Sequence, residues 1–218
     1  MNIYFHYIFL IILSFSYCQY VGVDVSEYQG NIDWATLSQH IHFAILRAGS
    51  NFGVHDQQFE NNYVGAKNYG VQIGAYWYSY AHNEEEAARE AKACIDAIQG
   101  KQFEYPIYYE ISDYEVLNTE ISTQILDTFC SILEKAGFYC GVNSRASNLE
   151  IKFDQNIFKK YSVWVTNRDM SGPDEPSIPH DIWETHSKNY PGVDGEVKTL
   201  VTNINFGPIM RERHLNGF

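Results

Sequence analysis

Tyr105-Pro106-Ile107-Tyr108-Tyr109-Glu110-Ile111-Ser112-Asp113-Tyr114-Glu115 runs from an apolar, aromatic and β-branched segment into a cluster of carboxylates. A segment of that kind reads as a buried strand that ends in a working site. Side chains alternate along a regular strand, so Glu110 and Ser112 share one face and Ile111 and Asp113 the other. Chemistry is therefore expected at the 110/112 pair. The serine stands out there, because acid/base work at this spacing usually calls for a second carboxyl.

Segments on either side repeat the pattern. Upstream, Tyr20-Val21-Gly22-Val23-Asp24-Val25 is a short apolar strand that delivers Asp24 near its end. Ile41-His42-Phe43-Ala44-Ile45-Leu46-Arg47-Ala48-Gly49 is nearly continuous in apolar residues, as strands buried on both faces are. The aromatic run 71–81 is a third strand, and residues 138–142 and 161–166 follow the opening stretch as a fifth and sixth. Between them lie helical patterns at 33–39, 57–69 closed by Gly70, 84–99 capped by Asn83, 119–136 capped by Thr119 or Ser122, and 147–160. The acidic first turn Glu84-Glu85-Glu86 fits a solvated helix start better than a metal site. Short strands at 181–184 and 192–197 precede a less regular tail.

Strands and helices alternate at roughly 25 to 35 residues, the spacing of βα units that force a parallel sheet. No Gly-rich phosphate loop follows the first strand, which disfavours a nucleotide-binding open sheet. The expected fold is α/β, an irregular (β/α) barrel, TIM-barrel-like, in a single domain. In such a barrel the polar residues at strand C-termini converge on one mouth. Asp24, Arg47, the aromatics 76–80, Glu110 with Ser112, Asn143 and Trp183 all fall at or near such ends.

Composition narrows the partners. At 218 residues and 45% hydrophobic content the chain can bury a large core. Its 17 tyrosines suit a core and also a cleft that stacks sugars or bases. A formal charge of -12 without a basic run argues against nucleic acid and against an anionic membrane surface. Residues 1–18 carry the apolar run Tyr7-Ile8-Phe9-Leu10-Ile11-Ile12-Leu13 followed by Ser14, Ser16 and Cys18, which reads as a signal peptide. Residues 19–218 then form the mature domain, expected to be secreted or lumenal and monomeric. Three cysteines remain, Cys94, Cys130 and Cys140, so one disulfide and one leftover thiol are expected. Sequence does not fix the pairing; Cys94 with Cys130 is the one we favour. The eight histidines are scattered with no metal-ligand spacing, and no cofactor is expected.

Taken in order, Gly22-Val23-Asp24-Val25-Ser26, Tyr28-Gln29-Gly30, Ile32-Asp33-Trp34, Phe43-Ala44-Ile45-Leu46-Arg47-Ala48-Gly49, Gly74-Ala75-Tyr76-Trp77-Tyr78-Ser79-Tyr80 and Pro106-Ile107-Tyr108-Tyr109 resemble a lysozyme of glycoside hydrolase family 25. The resemblance extends through Gly141-Val142, Val163-Trp164-Val165 and Gly192-Val193-Asp194-Gly195. It implies an irregular barrel with an acidic cleft, and cleavage of the β-1,4 bond between N-acetylmuramic acid and N-acetylglucosamine in peptidoglycan. It also implies an Asp at the end of the first strand, an Asp-x-Glu at the end of the fourth and a further Asp late in the chain. Asp24 matches the first; Glu110 stands for the Asp, Ser112 for the proton-donating Glu, and Lys198 for the late Asp, with Asp194 close by.

General-acid assistance is worth about 10²–10⁴-fold, and a serine hydroxyl is far too weak an acid to supply it. The expected site is thus Asp24, Glu110 and the degenerate position Ser112, directed at peptidoglycan or a related glycan. Glu110, one methylene longer than Asp, is a possible relocated acid, as are Asp113 or Glu115 if the strand bulges. Substrate contacts are expected from Arg47, Tyr76, Tyr78, Tyr80 and Trp183, with a structural ion pair from Arg47 to Glu110 or Asp24 as the other reading of Arg47.

Overall fold

A computed structural model describes residues 19–112, 118–166 and 176–218. The expected signal peptide with Cys18, the carboxylates Asp113 and Glu115, and the loop 167–175 lie outside the described residues.

Strands β1 (Tyr20–Val25), β2 (Phe43–Ser50), β3 (Val54–His55), β4 (Gln72–Tyr78), β5 (Ile107–Glu110), β6 (Cys140–Arg145), β7 (Ser162–Thr166), β8 (Ile182–Asn189) and β9 (Glu196–Thr202) form one sheet. Helices α1 (Trp34–Leu37), α2 (Phe59–Asn68), α3 (Glu84–Ile98), α4 (Thr119–Lys135), α5 (Ala146–Ile151) and α6 (Phe206–Glu212) connect or follow them. β1 pairs with β2 on one side and β9 on the other, so every strand except the two-residue β3 belongs to a closed eight-stranded barrel. The pairs β1–β2, β2–β4 and onward to β7–β8 are parallel, whereas β9 runs antiparallel to both neighbours. The single-domain irregular barrel expected from the sequence is the fold observed.

Two packed layers follow from strand alternation. Phe43, Ile45, Tyr76, Tyr108, Trp164, Ile182 and Leu200 fill the barrel interior, closed at one end by Tyr105, Phe206 and Met210. Tyr105 stacks on Phe43 at 4.4 Å between centroids. Such bulk fits because glycines face it: a Cβ at Gly22 would sit 2.6 Å from the Phe43 ring, and one at Gly141 2.6 Å from the Tyr108 ring. The alternate residues, among them Val23, Leu46, Ile73, Ile107 and Val142, pack outward against the helices. α3 offers Ala87, Ala91, Cys94 and Ile98, and α4 offers Ile125, Phe129 and Leu133, both at helical period. The tail seals the closed end: Asn216 Nδ2 donates to the Tyr105 carbonyl, and its Oδ1 accepts from the Tyr139 amide.

Several expectations change. The disulfide joins Cys130 to Cys140, with Cα atoms 5.3 Å apart, and Cys94 is a buried free thiol. A short turn through Gly137, at φ 88°, folds β6 back along α4 and brings Cys140 beneath Cys130; this replaces the favoured Cys94–Cys130 pair. α4 is capped by Asn118, whose Oδ1 accepts from the Ile121 amide, instead of by Thr119 or Ser122. The helical pattern at 147–160 divides into α5 and a 3-10 turn at Gln155–Lys159. The strand expected to end at 184 runs on to Asn189, the element expected at 192–197 is displaced to β9 at Glu196–Thr202, and α6 forms where a less regular tail was expected. Among the described residues no helix is long and apolar enough to cross a membrane.

Candidate active site

Parallel strands deliver their C-terminal residues to one mouth. There Asp24 ends β1, Tyr76 and Tyr78 end β4, Glu110 ends β5, and Lys198 and Glu196 enter from the start of the reversed strand β9. Together with Ser26, Tyr28, Gln29, Arg47 and Ser187 they line a cleft of about 420 Å³. A second hollow of about 380 Å³ shares Tyr28, Arg47 and Tyr78 with it and adds Tyr80, Val54 and His55. The two hollows adjoin at those three shared residues.

Each side chain is held for an identifiable reason. Ser26 caps the 3-10 turn Glu27–Gln29 while its amide donates to Gln29 Oε1, which presents Tyr28, 79% exposed, at the rim. Arg47 sits beneath Tyr28, its guanidinium carbon 4.6 Å from the ring centroid. Its Nε donates to Asp56 Oδ2 at 2.7 Å and its Nη2 to Glu27 Oε1 at 2.7 Å. These are the ion pairs Arg47 makes, in place of the expected pair with Glu110 or Asp24. Tyr78 and Tyr80 lie 5.2 Å apart as a tilted pair, and the turn that carries them is fixed from behind: Glu90 of α3 accepts from the Tyr80 amide at 2.8 Å. Tyr76 is buried edge-on to Trp164. Burial, then the nearby charges of Asp24 and Glu110, push its pKa well above the ordinary value, so it is a neutral phenol in the acidic cleft.

Lys198 and Asp24 are cross-strand partners, and Nζ donates to Asp24 Oδ2 at 2.8 Å. Glu184 Oε2 lies 3.7 Å from the same Nζ and accepts from Thr166 Oγ1 at 3.4 Å. Asn143 Nδ2 in turn donates to Thr166 Oγ1 at 2.8 Å. A polar chain Asn143–Thr166–Glu184–Lys198–Asp24 thus runs across five strands at the cleft floor. Burial alone would lower the Lys198 pKa; the charges of Asp24, Glu184 and Glu110 outweigh it and hold the ammonium above its ordinary value.

Of the residues singled out in the sequence, Asp24, Glu110, Arg47, Tyr76 and Tyr78 meet at the cleft, and Tyr80 joins them through the second hollow. Ser112 is half-buried two residues past Glu110 and is not part of the cleft lining. The ladder stays regular there, since the Ile111 amide donates to the Asn143 carbonyl at 2.9 Å. Trp183 is elsewhere: it lines a separate hollow of about 100 Å³ with Asp181, Thr202 and Ile204, where β9 ends. Alternation along β8 points its neighbour Glu184 to the floor in its place. Glu184, Thr166 and Tyr28 are the contributors that sequence reasoning missed. The Ile182-Trp183-Glu184 alternation was the available signal, with Ile182 in the barrel interior. Among the described residues no group of His, Cys, Asp and Glu could hold a metal ion.

Carboxylates carried to one mouth by the strand ends of a closed barrel occupy the place where barrels of this kind hold their functional sites. The family model for glycosyl hydrolases family 25 matches residues 23–192, and the chain belongs to that family. It is similar to the uncharacterized protein YegX of Escherichia coli K12, 22% identical over 194 residues, which cover 84% of this chain and 69% of that protein. Among solved structures it resembles the modular autolysin LytC of Streptococcus pneumoniae, with a TM-score of 0.74 and 25% identity. That match covers 84% of this chain and 46% of LytC, so the chain spans about half the length of that autolysin. The bacterial lysozyme of Streptomyces coelicolor matches at a TM-score of 0.74 and 22% identity, over 90% of this chain and 96% of that one. LytC has also been solved in complex with a synthetic peptidoglycan ligand.

Proposed function

We propose that this protein is an exported peptidoglycan-directed member of its family that holds glycan strands in the cleft without hydrolysing them efficiently. The observation that carries the reading is that Asp24 and Glu110 share one cleft, while position 112, where the resemblance puts the proton donor, holds a serine outside that lining. Two carboxylates and a row of tyrosines supply hydrogen-bond acceptors and flat faces for sugars. No serine donates a proton to a leaving glycosidic oxygen at useful rate. Export is supported by the apolar segment before Cys18 and by the Cys130–Cys140 disulfide, a bond that persists in oxidising compartments. A relative with a bound synthetic peptidoglycan ligand supports the substrate class.

Purified protein incubated with insoluble peptidoglycan is expected to sediment with it and to release no new reducing ends between about pH 4 and pH 8, a range that covers both protonation states of ordinary carboxyls. Failure to sediment with peptidoglycan or chitin would overturn the proposal. A second reading, hydrolysis with Glu110 as the acid, rests on Glu110 being a buried residue, 6% exposed, that still lines the cleft. It requires release of reducing ends that Glu110→Gln abolishes. Ser112→Glu, alone and with Glu110→Asp, tests whether the cleft is otherwise competent.

A further inference from the structure

Glycan binding and glycan cleavage ask opposite things of a charge at the cleft floor. A neutral sugar in its ground state tolerates a fixed ammonium, which donates to hydroxyls. The transition state of glycosyl transfer is oxocarbenium-like and carries positive charge at the ring. Catalysis depends on interactions that strengthen on the way to that state, and a nearby cation weakens instead. Lys198 is such a cation. Its Nζ is 2.8 Å from Asp24 and 3.7 Å from Glu184, so it sits between two carboxylates that would otherwise offer the floor as a negative surface. The side chain is 30% exposed and lines the cleft. The register fixes it there, since Lys198 and Asp24 face each other across β9 and β1.

We propose that Lys198 tunes the ligand class of the cleft, weakening its hold on cationic sugars relative to neutral ones, and that it is a second block on hydrolysis independent of Ser112. This rests on the glycan-binding reading above. It follows that restoring a carboxyl at position 112 is not sufficient: Ser112→Glu alone stays slow, and Ser112→Glu with Lys198→Gln is faster.

Two probes separate the charge effect from catalysis: a neutral trimer of N-acetylglucosamine, and the same trimer ending in a protonated iminosugar. Titration of the intact protein with each probe sets the reference ratio of the two affinities. In Lys198→Gln, shown folded by circular dichroism, the neutral-to-cationic affinity ratio should fall by about tenfold or more, the size of effect a unit charge exerts at a few ångströms in a partly screened site. In Lys198→Arg, which keeps the charge, the ratio should stay within about twofold, well below that charge effect. An unchanged ratio in Lys198→Gln overturns the proposal, as does an equal fall in Lys198→Arg, which would make shape and not charge the cause. Absence of binding of both probes to the unmodified protein overturns the glycan reading itself, and this inference with it.

Discussion

The Tyr109 hydroxyl donates to Glu90 Oε2 at 2.6 Å, tying β5 to α3 behind the aromatic wall of the cleft. Ser79 Oγ donates to the same hydroxyl at 2.8 Å, and Tyr109 stacks on Phe129 with centroids 3.8 Å apart. Glu90 also receives the Tyr80 amide. One fully buried carboxyl therefore positions the segment that carries Tyr78 and Tyr80.

Burial is the largest influence on Glu90 and pushes its pKa above the ordinary 4.5, against the hydrogen bonds from Tyr109, Tyr80 and Ser79. A carboxyl raised in the folded state contributes stability that is fully present below its unfolded pKa and is lost as pH rises through the folded value. The melting-temperature difference between the wild-type protein and Glu90→Gln should therefore be more favourable to wild type at about pH 4 than at about pH 7, on either side of that window. Thermal melts at the two pH values decide it; a difference that does not vary with pH contradicts the assignment.

Loss of the Cys130–Cys140 bond should be felt mainly through the unfolded chain. The bridge spans 10 residues, for which the loop-entropy estimate is about 3 kcal/mol. Cys130→Ala with Cys140→Ala is expected to fold and to unfold at lower denaturant by about that amount. Cys94, whose thiol pKa burial drives upward, should resist iodoacetamide in the native protein and react once it is unfolded, as read by peptide mass mapping.

Gly141→Ala places a Cβ 2.6 Å from both the Ser162 carbonyl oxygen and the Tyr108 ring. Neither contact is with a flexible side-chain end, so the barrel must open. We expect a loss of about 1–3 kcal/mol or more in chemical denaturation, the usual cost of overpacking. Gly100→Ala, at a turn with φ 76° and open space around it, should cost less and only through backbone strain.

Arg47→Lys retains a charge but cannot reach Asp56 and Glu27 with two separate N–H groups as the guanidinium does. Tyr28 would lose its cationic support, and glycan affinity should fall several-fold. Stability should drop by about 1.5–3 kcal/mol, because one of the two carboxylates, Asp56 or Glu27, loses its charge-assisted hydrogen bond. Titration with the N-acetylglucosamine trimer, alongside urea unfolding, separates the two effects.

Asp24, Arg47, Tyr76, Tyr78 and Glu110 were legible because each follows an uninterrupted apolar run on a parallel strand, and such runs announce both burial and the point where they end. The far side of the mouth was not. Thr185 to Asn189 are largely exposed, so the second half of β8 lacks the apolar signature of a buried strand. In Glu196-Val197-Lys198-Thr199-Leu200, two charged residues alternate with apolar ones and mimic a surface strand, although Lys198 points into the barrel. Trp183 drew the eye away from Glu184 by size alone, and only the parity set by Ile182 resolves which of the two faces inward. Cysteine pairing was hidden for a different reason: it depends on how β6 returns along α4, a three-dimensional fact that no spacing of cysteines encodes.

The reversed strand β9 gives the molecule an asymmetric doorway. Around most of the rim, any change in a wall residue is tied to a helix that must still dock on the outer layer. On the β8–β9 side the rim is a hairpin with Ser187, Glu196 and Lys198 facing the opening; its connection 190–195 docks on α1, where the Asp33 amide donates to the Gly192 carbonyl at 2.8 Å, but the strand residues His186 to Asn189 are exposed. Charge swaps along that exposed stretch are uncoupled from barrel assembly, so this flank can be retuned toward new ligands while the scaffold stays as it is.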